Sequence, residues 1–80
     1  MDAQWIQFID GTRKKIPDEY LVNPRIVQGT FIVTNQDYKY GLMDLNCKLV
    51  TKEWYDMIYI ENTDDIYGIL NREHVRIIID

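Results

Sequence analysis

The chain has 80 residues, a formal net charge of −4 and a single cysteine. A chain of this length makes one domain with a thin stability margin, and one cysteine excludes an intramolecular disulfide and fits a reducing, cytoplasmic compartment. With 46% hydrophobic residues the composition excludes disorder. No apolar run approaches the ~18 residues of a membrane span, and the N-terminal residues lack a signal-peptide pattern.

Period-two alternation predicts short strands along most of the chain and no long helix. Asp10-Gly11 predicts a hairpin turn, Gly29 a bulge, and residues 17–20 and 52–56 one helical or 3₁₀ turn each. In chain order, strands are predicted at residues 5–9, 13–16, 25–34, 38–44, 48–50, 57–60, 66–70 and 75–79. The predicted fold is all-β: a small antiparallel sheet or partly open barrel built from two to three repeated hairpins, in one domain spanning residues 1–80.

One hairpin pattern repeats. The step Tyr40-Gly41 returns as Tyr67-Gly68, each followed by an apolar pair, and residues 44–50 have the same spacing as 71–77 and 10–16. The first copy lacks the aromatic-glycine step, as terminal units of repeat arrays commonly do. Glycine in the same place twice indicates a backbone requirement, since a missing side chain lets an aromatic ring or a strand approach closely.

The repeated residues point to a family. Residues 40–44, 48–50 and 55–58 read Tyr-Gly-Leu-Met-Asp, Lys-Leu-Val and Tyr-Asp-Met-Ile. This succession resembles the bacterial WG repeat, also called the KWG repeat. The resemblance implies a β-rich repeat scaffold used for interactions, with no shared catalytic residues. The chain departs from the family in two places: Cys47 or its neighbour stands where the family usually has a turn glycine, and the last unit ends before any counterpart of Trp54.

Charge is unevenly distributed along the chain. Residues 1–40 carry five acids and five bases, whereas residues 41–80 carry eight acids and four bases. Residues 53–65 hold five acids and no base, interleaved with aromatic residues. Opposite potentials steer encounter and aromatic residues are enriched in binding hot spots, so this stretch predicts a docking face for a basic protein, with a solvated rim as the alternative. The residues predicted to bind the partner are Glu53, Tyr55, Asp56, Tyr59, Glu61, Asp64 and Asp65.

The last predicted strand has an apolar edge. It contains three consecutive isoleucines and neither proline nor lysine to protect it. Unprotected edges pair with other strands. We therefore expect self-association as a homodimer, and the alternative is closure of this strand against residues 5–9 into a barrel. The residues predicted to form the self-association surface are Val75, Ile77, Ile78 and Ile79.

Catalytic chemistry has little support in the sequence. The chain has no serine, and its single Cys47 and single His74 fall in different units. One cysteine and one histidine do not supply a usual zinc site, and the basic run Arg13-Lys14-Lys15 falls short of a nucleic-acid footprint. We therefore predict no enzyme, no metal, no cofactor, no membrane partner and no direct nucleic-acid partner.

Two functions remain open. The first is a small acidic protein-binding module, of the inhibitor or immunity type, that covers a partner's surface. The second is an oligomeric small-molecule or nucleotide-binding protein, in which Arg13, Lys14, Arg72 or Arg76 neutralises phosphate in a pocket between chains.

Overall fold

The computed structural model describes residues 4–79, which form eight strands and no helix. The strands are β1 (Gln4–Gln7), β2 (Arg13–Ile16), β3 (Leu21–Val22), β4 (Thr30–Thr34), β5 (Tyr40–Asp44), β6 (Met57–Glu61), β7 (Asp65–Leu70) and β8 (Glu73–Arg76). They make three antiparallel sheets: an N-terminal sheet of β1-β2, a middle sheet in the order β3-β4-β5 and a C-terminal sheet in the order β6-β7-β8. The all-β prediction is confirmed, and none of the three sheets closes into a barrel.

Three turns share one geometry, at residues 8–12, 35–39 and 44–48. In each, the fourth residue donates its backbone N–H to the carbonyl of the first, over 3.0 to 3.1 Å, and has a positive φ. That position holds Gly11 at 91°, Tyr38 at 61° and Cys47 at 62°. Left-handed backbone favours glycine. Cys47 therefore occupies a glycine-type turn position.

Several predicted boundaries differ from the structure. Gly29 forms no bulge: Gln28 and Gly29, with φ of 51° and 72°, make a two-residue turn between Val27 and Thr30. This turn limits the predicted strand at residues 25–34 to Thr30–Thr34. Residues 17–20 form a β-turn closed by a 3.3 Å backbone hydrogen bond, and residues 52–56 contain no helical turn.

The middle sheet is buried on both faces, because strand alternation sends its apolar residues in both directions. On one face, Phe31, Val33 and Met43 pack with Ile16 of β2. This cluster joins the middle sheet to the N-terminal sheet. Tyr20, Val22 and Leu45 cover its margin.

The opposite face of the middle sheet joins it to the C-terminal sheet. Ile32 and Leu42 pack there with Ile58, Ile66 and the buried Ile77. The three sheets therefore form a stack held by two apolar clusters. Each terminal sheet has one face inside the stack and one face outside it.

The dipeptide Trp54-Tyr55 fastens the middle sheet to the C-terminal sheet. A Cβ atom on Gly41 would lie 2.9 Å from Cζ3 of Trp54, and one on Gly68 would lie 2.5 Å from Cδ2 of Tyr55. The backbone of Tyr55 also exchanges two 2.8 Å hydrogen bonds with Tyr40. The expectation that a ring or a strand closely approaches both glycines is confirmed: a ring approaches each, and both rings come from this dipeptide.

Candidate docking face on the C-terminal sheet

The register of the C-terminal sheet defines its uncovered face, because residues directly opposite each other in antiparallel strands project to the same side. Tyr67 lies opposite Tyr59 on one side and Arg76 on the other. Ile69 lies between Met57 and His74 in the same way, and Glu61 is opposite Asp65. We call this surface the outer face; its residues are Met57, Tyr59, Glu61, Asp65, Tyr67, Ile69, His74 and Arg76.

The middle sheet shows how such a face is normally covered. In the middle sheet, the residue after the glycine of β5 is Leu42, and it lies opposite Ile32. In the C-terminal sheet, the residue after the glycine of β7 is Ile69, and it lies opposite Met57. Ile32 is 7% exposed because the C-terminal sheet packs on it, whereas Met57 is 48% exposed. The outer face thus has the residue pattern of a sheet face that packs against another sheet, but no part of residues 4–79 covers it.

Aromatic rings occupy the centre of the outer face. The rings of Tyr59 and Tyr67 are stacked, with centroids 5.6 Å apart and planes 17° apart. His74 meets Tyr59 edge-on at 5.9 Å, and its Nδ1 lies 2.9 Å from the phenol oxygen. Burial, and then the neighbouring Glu61, raise the pKa of Tyr59. The Tyr59 phenol is therefore neutral at physiological pH. The three rings pack against one another, and this packing restricts their side-chain motion.

Charged groups border this aromatic centre. Arg76 donates from Nη2 to Oδ1 of Asp65 over 3.0 Å, and the amide of Asn62 reaches the other carboxylate oxygen at 3.3 Å. Arg76 therefore offsets the charge of Asp65. Glu61 and Asp64 are exposed at the same end of the sheet, next to the turn between β6 and β7. The border is acidic at that end.

The residues predicted to bind a partner separate into two groups. Tyr59, Glu61 and Asp65 lie together on the outer face. Tyr55 does not, because its ring packs over Gly68 on the inner side of the C-terminal sheet. The predicted face therefore includes one aromatic residue that belongs to the core.

The remaining three predicted residues lie off the outer face. Glu53 is exposed in the linker before β6. Asp64 lies in the β6–β7 turn, where its carbonyl accepts a 2.6 Å hydrogen bond from Gln28. Asp56 pairs with Lys39, whose hydrogen bond lowers the pKa of the Asp56 carboxyl. The acidic stretch has no base in the sequence, but folding brings Lys39 and Arg76 to it.

The residues predicted for self-association do not form one exposed strand. β8 ends at Arg76, and residues 77–79 lie outside the strands. Ile77 donates its N–H to Ile66 over 2.9 Å and is 9% exposed, and Val75 and Ile79 are half-buried. Ile78, at 77% exposure, stays open to solvent.

An open cleft of about 610 Å³ lies between this C-terminal segment and the linker before β6. Its lining contains both apolar and charged side chains. The lining residues are Val50, Thr51, Lys52, Glu53, Tyr55, Arg76, Ile77, Ile78 and Ile79.

Sequence reasoning missed five residues of the outer face. These are Met57, Tyr67, Ile69, His74 and Arg76. One signal was available: if Gly68 points inward to admit a ring, both of its neighbours in the strand must point outward. That parity places Tyr67 on the outer face, where it is half-buried.

The reactive side chains are not brought together for catalysis. Cys47 packs beside the cluster under the N-terminal sheet, where burial raises the pKa of its thiol. His74 is on the outer face at the other end of the stack. Within residues 4–79, no three His, Cys, Asp or Glu side chains come together as a metal site, and no helix is present that is long and apolar enough to cross a membrane.

In comparisons with known proteins, no family model, curated protein or solved structure matches this chain. The resemblance to the WG repeat therefore stays a prediction.

Proposed function

We propose that this chain is a protein-binding module that docks a basic partner on the outer face of its C-terminal sheet. The observation that carries this proposal is the exposure of Met57 in the register position where Ile32 of the middle sheet is buried. If the module covers the active site of its partner, its role is that of an inhibitor or immunity-type protein in a reducing compartment.

The side chains of the outer face suit protein recognition. Tyrosine, methionine and arginine are enriched in interface cores, and tyrosine supplies contact area at a small cost in conformational entropy. The mutual packing of Tyr59, Tyr67 and His74 lowers that cost further, because their rings are already held in place. Glu61 and Asp64 add an acidic border that favours a basic partner.

The experiment compares matched surface variants. Protein captured from a lysate of the source cells is quantified by mass spectrometry for the wild type, for Tyr67→Ser and for Met57→Lys. The control is Leu21→Ser, which removes an exposed leucine from β3, away from the C-terminal sheet. We expect basic proteins captured by the wild type and by the control to be lost with both outer-face variants.

A captured set that is unchanged by Tyr67→Ser and Met57→Lys, with both variants folded by circular dichroism, contradicts the docking face. A direct measurement then follows for any captured protein. Charge reversal at Glu61 of the module should slow association with that captured protein, relative to the wild-type module, and flatten the salt dependence of the rate.

The cleft is the observation that favours the second function. It has the size of a small-molecule site, and its lining includes two bases, Lys52 and Arg76, and one acid, Glu53; Arg76 also pairs with Asp65. We propose an anionic small molecule as its ligand if the outer face binds no protein. Titration with adenosine monophosphate and with inorganic phosphate, followed by amide chemical shifts of residues 50–55 and 76–79, tests this alternative. Shifts confined to other regions contradict it.

A further inference from the structure

The outer side of the N-terminal sheet is the second uncovered face of the stack. Trp5 lies opposite Lys15 and Gln7 opposite Arg13, so these four side chains share that side. Trp5 is 51% exposed, and the Arg13 guanidinium lies 5.8 Å from the centre of its ring. An exposed aromatic ring with cations around it is therefore presented to solvent.

The two uncovered faces differ in charge: Arg13 and Lys15 on the N-terminal sheet are bases, with Lys15 paired to Asp18 over 3.4 Å, whereas the C-terminal sheet is acidic at its β6–β7 end. Residues 4–16 carry three bases and one acid, and residues 57–76 carry four acids and two bases. One end thus presents a tryptophan among bases, and the other presents stacked tyrosines beside acids. Complementary potentials of this kind bring surfaces together in a defined orientation.

The molecule itself shows how these sheets associate. Ile16 of the N-terminal sheet packs on the middle sheet, and Ile58 of the C-terminal sheet packs on its other side. Sheet-on-sheet stacking is therefore the contact that this sequence makes twice. The contact stops at both ends, where one face of each terminal sheet has no counterpart within residues 4–79.

We propose that copies of this chain associate head to tail, with the outer side of the N-terminal sheet of one copy on the outer face of the C-terminal sheet of another. The inference rests on the proposed docking role of that outer face, and the basic partner is here a second copy. The contact is heterologous, so it leaves one free face at each end. Strands of four to six residues cover less than the ~800 Å² per partner of a standard interface; association is therefore weak and salt-sensitive.

The test reverses charge at each face separately and then at both. The first variant carries Arg13→Glu and Lys15→Glu, and the second carries Glu61→Lys and Asp64→Lys; all four side chains are exposed. The third combines the four substitutions. A control with Lys48→Glu and Lys52→Glu makes the same charge change as the first variant at exposed positions outside both faces.

Sedimentation velocity at rising concentration in low-salt buffer gives the readout, with circular dichroism to show that each variant is folded. We expect the wild type and the control to associate, each single-face variant to lose association by about tenfold or more, which is roughly 1.4 kcal/mol, and the combined variant to regain it. Added salt should dissociate all of them.

Three results overturn the inference: a wild type that is monomeric at every concentration, a first variant that associates like the wild type, or a combined variant that stays monomeric. The second of these indicates pairing of two identical faces. These results are independent of the test of the proposed function. Capture of basic proteins by the wild type, and its loss with Tyr67→Ser, can be measured whether or not the chain associates with itself.

Discussion

The middle sheet and the C-terminal sheet place the same residue pattern in different surroundings. In both, a tyrosine-glycine step pairs with a strand of apolar residues, and an aromatic ring lies over the glycine. In the middle sheet, Leu42 follows that glycine and is 1% exposed, whereas in the C-terminal sheet Ile69 has the same position and is only half-buried. A position that is structural in one sheet is therefore open to binding in the next, and its neighbours decide which.

The largest effect should separate the two sheets directly. We expect Leu42→Ala to lower the free energy of unfolding by about 2 to 5 kcal/mol, because it leaves a cavity in a cluster closed on all sides. Ile69→Ala should cost about 1 kcal/mol or less, because its surroundings reach solvent. Urea denaturation of both variants measures the difference. Equal losses would mean that the outer face is packed as tightly as the middle sheet.

Gly68 and the Tyr55 ring that packs on it test the junction between the sheets. Gly68→Ala should lower the free energy of unfolding by about 1 to 3 kcal/mol, the usual cost of overpacking, because its methyl group meets the Tyr55 ring. The same substitution in a Tyr55→Ala background should cost less, since the obstructing ring is gone. A double-mutant cycle by denaturation gives the coupling. Additive losses would show that Gly68 is needed for another reason.

The sequence was a good guide to the elements of this fold. Alternation located seven of the eight strands in residues 4–79, but it missed β3, and the strand predicted at residues 48–50 is only an isolated bridge between Leu49 and Met43. Asp10-Gly11 lies in the first hairpin turn, where Gly11 has a positive φ. The two aromatic-glycine steps predicted a close approach by a ring or a strand, and in the structure a ring approaches each glycine. These features are local, so they can be read from neighbouring residues.

Placement of the site depended on contacts that are distant in sequence. The acidic stretch has no base within it, but Lys39 and Arg76 reach it through turns whose geometry is not encoded inside that stretch. Ile77 looked like part of an exposed edge because its burial comes from packing in one cluster with Ile32 and Leu42 of the middle sheet. Tyr67, His74 and Arg76 were not predicted for this face, because the register that brings them beside Tyr59 joins separate strands.

Turn residues should have smaller effects of the opposite sign. Tyr38, 79% exposed with φ of 61°, occupies a left-handed position in the turn before β5, and Arg72, with φ of 69°, does so in the turn before β8. We expect Tyr38→Gly and Arg72→Gly to raise the free energy of unfolding by about 0.5 to 1 kcal/mol each, because relief of left-handed strain exceeds the entropy gained by the unfolded chain.

Gln36→Gly is the matched control for these turns. Gln36 is exposed in the same turn as Tyr38 and is not among the residues with positive φ. Glycine there should destabilise by about 0.5 to 1 kcal/mol, since it adds entropy to the unfolded chain without relieving strain. Thermal denaturation distinguishes the signs, and a Tyr38→Gly protein less stable than the wild type would show that the exposed tyrosine itself contributes to stability.

The smallest effect concerns the ion pair that links the two sheets. Lys39 lies just before β5 and Asp56 just before β6, and both side chains are nearly half exposed, so solvent screens their attraction. The hydrogen bond from Lys39 lowers the pKa of the Asp56 carboxyl from its ordinary value. A lowered carboxyl pKa contributes stability that is present above the unfolded pKa and disappears as the pH falls through the folded value.

We therefore expect Asp56→Asn to be slightly less stable than the wild type at neutral pH and equally stable at acidic pH, below the lowered pKa. Glu53→Gln, an exposed acid in the same linker, is the control for general charge. A difference between Asp56→Asn and the wild type that persists at acidic pH would assign the effect to packing of the linker and not to the ion pair.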